Sequence, residues 1–355
     1  MINISREFKE ILLIPSTTIL TSLKRMDEVK RKLLIVYEEG KFIGLLSIGD
    51  IQRAIINSID LNQPIAVIIK KDIIVANPED SIENIKNLMH SIRAEFMPVV
   101  DSNRNLINVL FWEDLFSYED KTPLRQFNLP VVIMAGGFGT RLKPITNVLP
   151  KPLIPIGDKT MVEEIFDRFN RHGCTNFYLS VNYKSDLIEY YLRNQNLPYN
   201  LNFFKENKPM GTGGSLALLQ NKIKETFIVT NCDILIEQDY AEIIEYHKKN
   251  KNEITIVAAL KHLPIPYGII ETGDNGQLKD LKEKPEITFK INSGMYVLES
   301  HLLDEIPNDE FYHITQLIEN VKNRNGRIGV FPVSEKSWKD VGLLSDYIDI
   351  LNGFV

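Results

Sequence analysis

Only two cysteines, Cys174 and Cys232, occur in the 355 residues. No disulfide framework can organise a chain this poor in cysteine. Each of the two lies in a segment that reads as a packed element, so a buried free thiol is expected. Long apolar runs are missing too. No stretch approaches the roughly 20 residues that a membrane-spanning helix needs. The start, MINISREFKEILLIPS, puts charges where a secretory signal needs its apolar centre. Basic charge is not in excess: 41 Lys and Arg stand against 47 Asp and Glu, a net charge of −6. That balance gives no electrostatic footprint for nucleic acid. The expectation is a reduced, cytoplasmic protein that engages neither membrane nor nucleic acid.

The length suggests two domains, and the first ~120 residues contain an internal repeat. IPSTTILTSLKRM aligns with ANPEDSIENIKNLM, setting Pro15 opposite Pro78 and Met26 opposite Met89, 63 positions apart. One residue later in register, KFIGLLSIGDI aligns with NLINVLFWEDL, setting Gly44 opposite Asn108 and Asp50 opposite Asp114, 64 apart. Each unit reads as a polar start, an amphipathic helix, a strand, a turn, a second strand and a closing helix. Residues 1–118 resemble a tandem pair of cystathionine-β-synthase (CBS) modules, which are α+β regulatory nucleotide-binding units. The resemblance is carried by GLLSIGD and implies that Ser47 and Asp50 contact a regulatory nucleotide. A hydroxyl suits phosphate and a carboxylate suits ribose hydroxyls. The second unit keeps Asp114 but has Asn108 and Phe111 where the pattern has glycine and a hydroxyl, which leaves a second ligand site open. The other reading is that Asp50 and Asp114 cap their helices. Residues 119–129 are expected to form a linker.

From Pro130 onward strand and helix signals alternate. VVIMAG, NFYLSV, LNFF, TFIVTNCD and EITIVAAL read as strands. TMVEEIFDRFNRHG, SDLIEYYLRN, GGSLALLQ and DYAEIIEYHKKN read as helices between them. This predicts an α/β domain, residues 130–355, with a mainly parallel sheet and helices on both faces. Ligands bind such sheets at the carboxyl ends of the strands.

One such end carries MAGGFGTRLKPITNVLPKP. Gly136, Gly137 and Gly139 let backbone amides gather round an anion. Arg141 adds a planar donor fork and Lys151 a compact positive charge, both suited to phosphate. A P-loop would need Gly-Lys-Ser/Thr, which is absent. The dinucleotide pattern GxGxxG is half met, because Leu142 holds its third position.

AGGFGTRLKPITNVLPKPLIPI resembles the signature of the sugar-phosphate nucleotidylyltransferases. ENKPMGTGGSL, TNCDI, YGII, KEKP, NSGMYVLE and WKDVG follow in that family's order. The resemblance implies a Rossmann-like, GT-A-like mixed sheet. It also implies transfer of a nucleotidyl group to a sugar 1-phosphate with release of pyrophosphate. A sugar phosphate is largely ionised at neutral pH, so the chemistry needs charge stabilisation and no general base.

The family pattern implies that Gly136, Gly137, Gly139, Thr140, Arg141 and Gly211 contact the nucleoside triphosphate. Arg141, Lys151 and Asp233 would be the catalytic residues, with Asp233 and Asp340 on one Mg²⁺. Glu283 and Lys284 would take the sugar phosphate, with Asn182, Gly268 and Asn292 as further contacts. Glu206 stands where uracil-using relatives are expected to carry glutamine. A carboxylate accepts both N1–H and the 2-amino group of guanine, so Glu206 favours GTP.

With the CBS pair in front, the arrangement resembles bacterial guanylyltransferases that use glucosamine 1-phosphate for nonulosonic acid synthesis. Mannose- and heptose-1-phosphate guanylyltransferases share the motifs, and uridylyl- or thymidylyltransferases are the nearer rivals. The rival of another class is an inactive nucleotide sensor. The chain ends 15 residues after Asp340 and shows no hexapeptide repeats, so a single activity and a homo-oligomer are expected.

Overall fold

The structure, a computed structural model, describes residues 9–70, 73–92, 94–116, 124–342 and 347–348, leaving aside the side chains of Glu113 and Asp114. The proposed role of Asp114 therefore lies outside the described side chains. The chain divides into two compact units, Met1–Pro123 and Leu124–Val355.

In the first unit, β1 (Leu12–Leu13), β2 (Leu33–Glu38) and β3 (Lys41–Ser47) form one small sheet. Helix α1 (Ile19–Val29) starts where the Thr18 hydroxyl accepts the Thr21 amide. Helix α2 (Ile48–Ile56) follows β3 directly. The second repeat supplies α3 (Ile82–Ile92) and the hairpin β4 (Phe96–Val100) with β5 (Leu106–Phe111). Met26 and Met89, the aligned methionines, are both buried. Lys41 bridges to Asn105, its equivalent 64 positions on, and the Phe42 amide donates to the Arg104 carbonyl at 2.8 Å. The duplicated halves thus meet through their own equivalent turns.

The second unit is built on a seven-stranded sheet. Its strands are β6 (Val131–Met134), β7 (Asn176–Val181), β8 (Asn200–Lys205), β9 (Phe227–Asn231), β11 (Ile254–Pro264), β14 (Glu286–Leu298) and β15 (Ile328–Val333). Their order is β8-β7-β6-β9-β14-β11-β15. Every neighbouring pair is parallel except those made by β14, which runs antiparallel to both β9 and β11. The apolar run VVIM has a face assignment that its composition hides. Val131 and Ile133 enter one core with Leu179 and Ile228, while Val132 enters the other with Val229 and Leu298. Alternation on a pleated strand produces this split.

Helices α4 (Met161–Asn170), α5 (Ser185–Arg193), α6 (Tyr240–Asn250) and α7 (Ile314–Asn323) cover the sheet. Short pairs stand outside it: β10 (Ile234–Ile236) with β16 (Trp338–Asp340), and β12 (Ile269–Thr272) with β13 (Leu278–Lys282). One helix differs from the sequence expectation. GGSLALLQ is not a continuous α-helix; a four-residue turn, Gly211–Gly214, runs into a 3₁₀ segment, Ser215–Leu219. Gly213 and Gly214 sit too close to the 310–314 backbone for a regular helix with side chains. Cys174 and Cys232 are free and buried as expected. No helix among the described residues is long and apolar enough to cross a membrane.

Candidate active site

Strands β8, β7, β6 and β9 run parallel and end almost level. Lys205 pairs with Val181, Ser180 with Met134, and Met134 with Asn231. The segments that follow therefore emerge side by side on one rim: Glu206, Asn182, the glycine-rich loop and Asp233. Four stretches separated by up to about a hundred residues become neighbours because their strands share a register.

The glycine-rich loop turns at Gly139, whose φ of +63° few residues other than glycine adopt. A Cβ at that point would also lie 2.7 Å from Thr146. The Thr146 hydroxyl donates to the Gly139 carbonyl at 2.9 Å and ties the two arms of the loop together. Thr140 and Arg141 follow in a single 3₁₀ turn. Gly136 lies against Glu206, and Gly137 faces open space.

Four charged residues meet beside this loop. The Lys151 ammonium donates to Asp233 Oδ2. Arg141 places Nη2 3.7 Å from Asp233 and Nη1 3.8 Å from Asp340. Asp340 accepts from the Gly342 amide at 2.8 Å. Burial, and then the neighbouring charge of Asp233, push the Asp340 carboxyl above its ordinary range. Two carboxylates set this close, with Asp340 raised by its neighbour, suit a divalent cation bound through oxygen. Asp233 Oδ2 and Asp340 Oδ1 each lie 2.6 Å from the point a Cβ on Gly342 would occupy. The donor set fits a hard divalent cation, with Arg141 Nη2 2.9 Å from the same point. Next to it, Cys232 is buried and its thiol is pushed up to about 12 by desolvation. Among the described residues one cluster of three could surround a metal, Glu253, His301 and Glu305. Arg324 already forks across both of its carboxylates.

Glu206 is buried at the rim. Its carboxylate accepts from the Ser180 hydroxyl and from the Met210 amide at 3.2 Å. Asn182 donates to the Glu206 carbonyl at 2.9 Å, and its Cβ lies near Gly136. Asn182 thus sits between Glu206 and the glycine-rich loop. Gly211, at φ +77°, lies so close to Tyr312 that a Cβ would come within 2.6 Å of the Tyr312 carbonyl. The demand for glycine there comes from packing.

The remaining expected residues sit elsewhere. Gly268 and Glu283 face one another across the β12–β13 hairpin. Lys284 follows with φ +43° and is exposed. Asn292 donates to the Tyr296 hydroxyl at 2.8 Å and accepts from the Gly294 amide at 3.1 Å. No hydrogen bond or ion pair among the described residues joins Gly268, Glu283, Lys284 or Asn292 to the Arg141–Asp340 cluster. In the first unit, Ser47 and Asp50 form a capping box at the start of α2, and Asp50 also pairs with Arg53 and, at 3.6 Å, with Lys70. The geometry gives both residues the capping role.

Sequence reasoning missed Gly342, Thr146 and Ser180. Gly342 stood in the quoted WKDVG, but a glycine after an aspartate has the look of an ordinary turn. Nothing local marks Thr146 or Ser180, whose partners lie 7 and 26 positions away.

Comparison with known proteins agrees with this geometry. Residues 130–354 match the nucleotidyl transferase family, and residues 9–57 and 65–121 each match the CBS domain. A probable mannose-1-phosphate guanylyltransferase 1 of Oryza sativa subsp. japonica is 31% identical over 229 residues, 62% of this chain and 63% of that protein. A mannose-1-phosphate guanyltransferase of Schizosaccharomyces pombe is 33% identical over 232 residues, 62% of each. The match thus spans somewhat less than two thirds of these relatives. The crystal structure of HddC from Yersinia pseudotuberculosis superposes with a TM-score of 0.50 at 28% identity, covering 64% of this chain and all of that one. With a matched domain that contains the glycine loop and both rim aspartates, the chain belongs to the nucleotidyl transferase family and carries a pair of CBS domains ahead of that domain.

Proposed function

We propose that the chain transfers a guanylyl group from GTP to a sugar 1-phosphate and releases pyrophosphate. The observation that carries this reading is the meeting of Arg141, Lys151, Asp233 and Asp340 beside the glycine-rich loop. A phosphate oxygen of the sugar forms the new bond to the α-phosphorus, and the α–β bridging P–O bond breaks to release pyrophosphate. No proton has to move, so the site needs charge and alignment only. The loop amides and Arg141 hold the triphosphate, and Lys151 faces the α-phosphate. Mg²⁺ on Asp233 and Asp340 would offset the phosphate charge.

Guanine is supported by Glu206, whose two carboxylate oxygens retain acceptor capacity beyond Ser180 and Met210. The guanylyltransferase names of the curated relatives point the same way. Those names favour mannose 1-phosphate as the first acceptor to try, with glucosamine 1-phosphate and a heptose 1-phosphate next. Lys284 and Glu283 are proposed for the sugar phosphate and its hydroxyls. The first unit is proposed as a regulatory module whose ligand reaches Ser47 and Asp50 only if their cap opens.

Pyrophosphate release tests this, with GTP, UTP, CTP, ATP and dTTP crossed against a panel of sugar 1-phosphates in Mg²⁺. Release with GTP and one sugar is expected. Release with UTP or dTTP alone overturns the base assignment and keeps the reaction. Silence across the panel overturns the enzyme reading.

A further inference from the structure

We propose that Tyr183 and Lys184 form a clamp that holds the glycine-rich loop in its binding shape before any nucleotide arrives. The inference rests on the reading of residues 136–141 as a triphosphate loop. Tyr183 and Lys184 follow β7 and lie on no part of the loop, yet they touch it at Phe138 and touch the short helix that follows it at three carbonyls. The Phe138 ring, about half exposed, lies 5.3 Å from the Tyr183 ring. The Tyr183 hydroxyl donates to the Thr146 carbonyl at 3.4 Å. The Lys184 ammonium donates to the Asn147 and Val148 carbonyls, both at 2.7 Å.

Those two carbonyls end the four-residue helix Ile145–Val148. The last carbonyls of a helix have no partner within it, and a cation there is favourable. The ammonium also lies 5.3 Å from the Tyr183 ring centroid, so the two residues brace each other. Lys184 adopts φ +52°, a conformation uncommon for a residue with a side chain.

The clamp works together with Thr146, which ties Gly139 to the same short helix. Loosening the helix therefore loosens Gly139, at the turn of the loop. A flexible glycine-rich loop loses much entropy when it closes on a ligand, and holding it beforehand removes that cost from binding. Tyr183 and Lys184 are positioning residues in this sense, since they act on the loop and not on the substrate.

The test uses the full chain with Lys184→Met, which keeps an apolar stem and removes the ammonium. The amides of Leu142, Asn147 and Leu149 bond within the loop, and their exchange reports its order without nucleotide. They are expected to exchange about tenfold faster in the variant, with the β9 amides unchanged. The KM for GTP is expected to rise about tenfold, while kcat and the KM for the sugar 1-phosphate hold. Lys184→Arg restores both. Unchanged loop exchange overturns the clamp, and so does faster exchange throughout the unit. If Lys184→Met does not fold, Tyr183→Leu gives the same reading. A wild-type chain that neither binds GTP nor releases pyrophosphate overturns the enzyme reading, and the exchange measurement still decides the clamp.

Discussion

Asp340 is the register partner of Ile234 in a two-stranded antiparallel ladder. That pairing puts Asp340 beside Asp233, and the Val341 amide donates to the Asp233 carbonyl at 2.9 Å to close the ladder. The missing side chain of Gly342 leaves room for their two carboxylates and for Arg141.

Gly342→Ala places a methyl 2.6 Å from both carboxylates and 2.9 Å from Arg141 Nη2. The carboxylates have to shift, and a displacement near 1 Å in a reacting site costs about 10²-fold in rate. Pyrophosphate release is expected to fall by about that factor, with a melting temperature close to wild type. Full activity would show that the two aspartates do not act together.

Glu206→Gln keeps the shape and the acceptor for Ser180 but exchanges one acceptor oxygen for a donor, facing the Met210 amide or guanine. The ratio of kcat/KM for GTP over UTP is expected to fall at least about tenfold. Equal discrimination in the variant removes Glu206 from base selection and leaves it a buried strut.

Gly211→Ala tests packing under the loop. The new methyl meets the Tyr312 carbonyl at 2.6 Å, and the backbone is left-handed there. A loss of about 1–3 kcal/mol is expected from such strain, read by urea unfolding. A neutral result would mean that the 310–314 segment yields without cost.

His247 sets a pH dependence. Its ring is buried between Thr255, at 2.8 Å from Nδ1, and Glu299, at 3.1 Å from Nε2. Burial lowers its pKa below the ordinary value of 6.5, against the opposing pull of Glu299. The folded chain therefore takes up this proton at lower pH than the unfolded chain. Its contribution to stability is full above about 6.5 and declines as pH falls from there to the folded value. Unfolding free energy is expected to drop between pH 7 and pH 5, and His247→Gln should flatten that part of the profile. An unchanged slope in the variant assigns the dependence to other groups.

Much of the candidate site was legible in the sequence. The crowding of glycine and positive charge after an apolar strand announces an anion loop, because few residue types satisfy that backbone. Five of the seven strands of the large sheet and three of its four covering helices follow from periodicity; β14, β15 and α7 do not. GGSLALLQ misled because its apolar spacing imitates a helix, while the close approach of Tyr312 and Ile314 dictates its glycines. The sugar-side residues were less legible. Gly268 and Glu283 do meet, while Asn182 bonds to the Glu206 carbonyl.

The sequence by itself determined the loop chemistry, the duplicated first unit and the alternation of strand and helix. These depend on local backbone preference and on side-chain period, which neighbours along the chain fully express. Only the tertiary structure decided which residues meet. Strand register aligned Glu206, Asn182 and Asp233 on one rim, the β10–β16 ladder joined Asp340 to Asp233, and the turn at Tyr183 reached back to Phe138 and Val148. Such contacts form because distant segments share a buried sheet, and no local pattern encodes which distant partner a given residue will face.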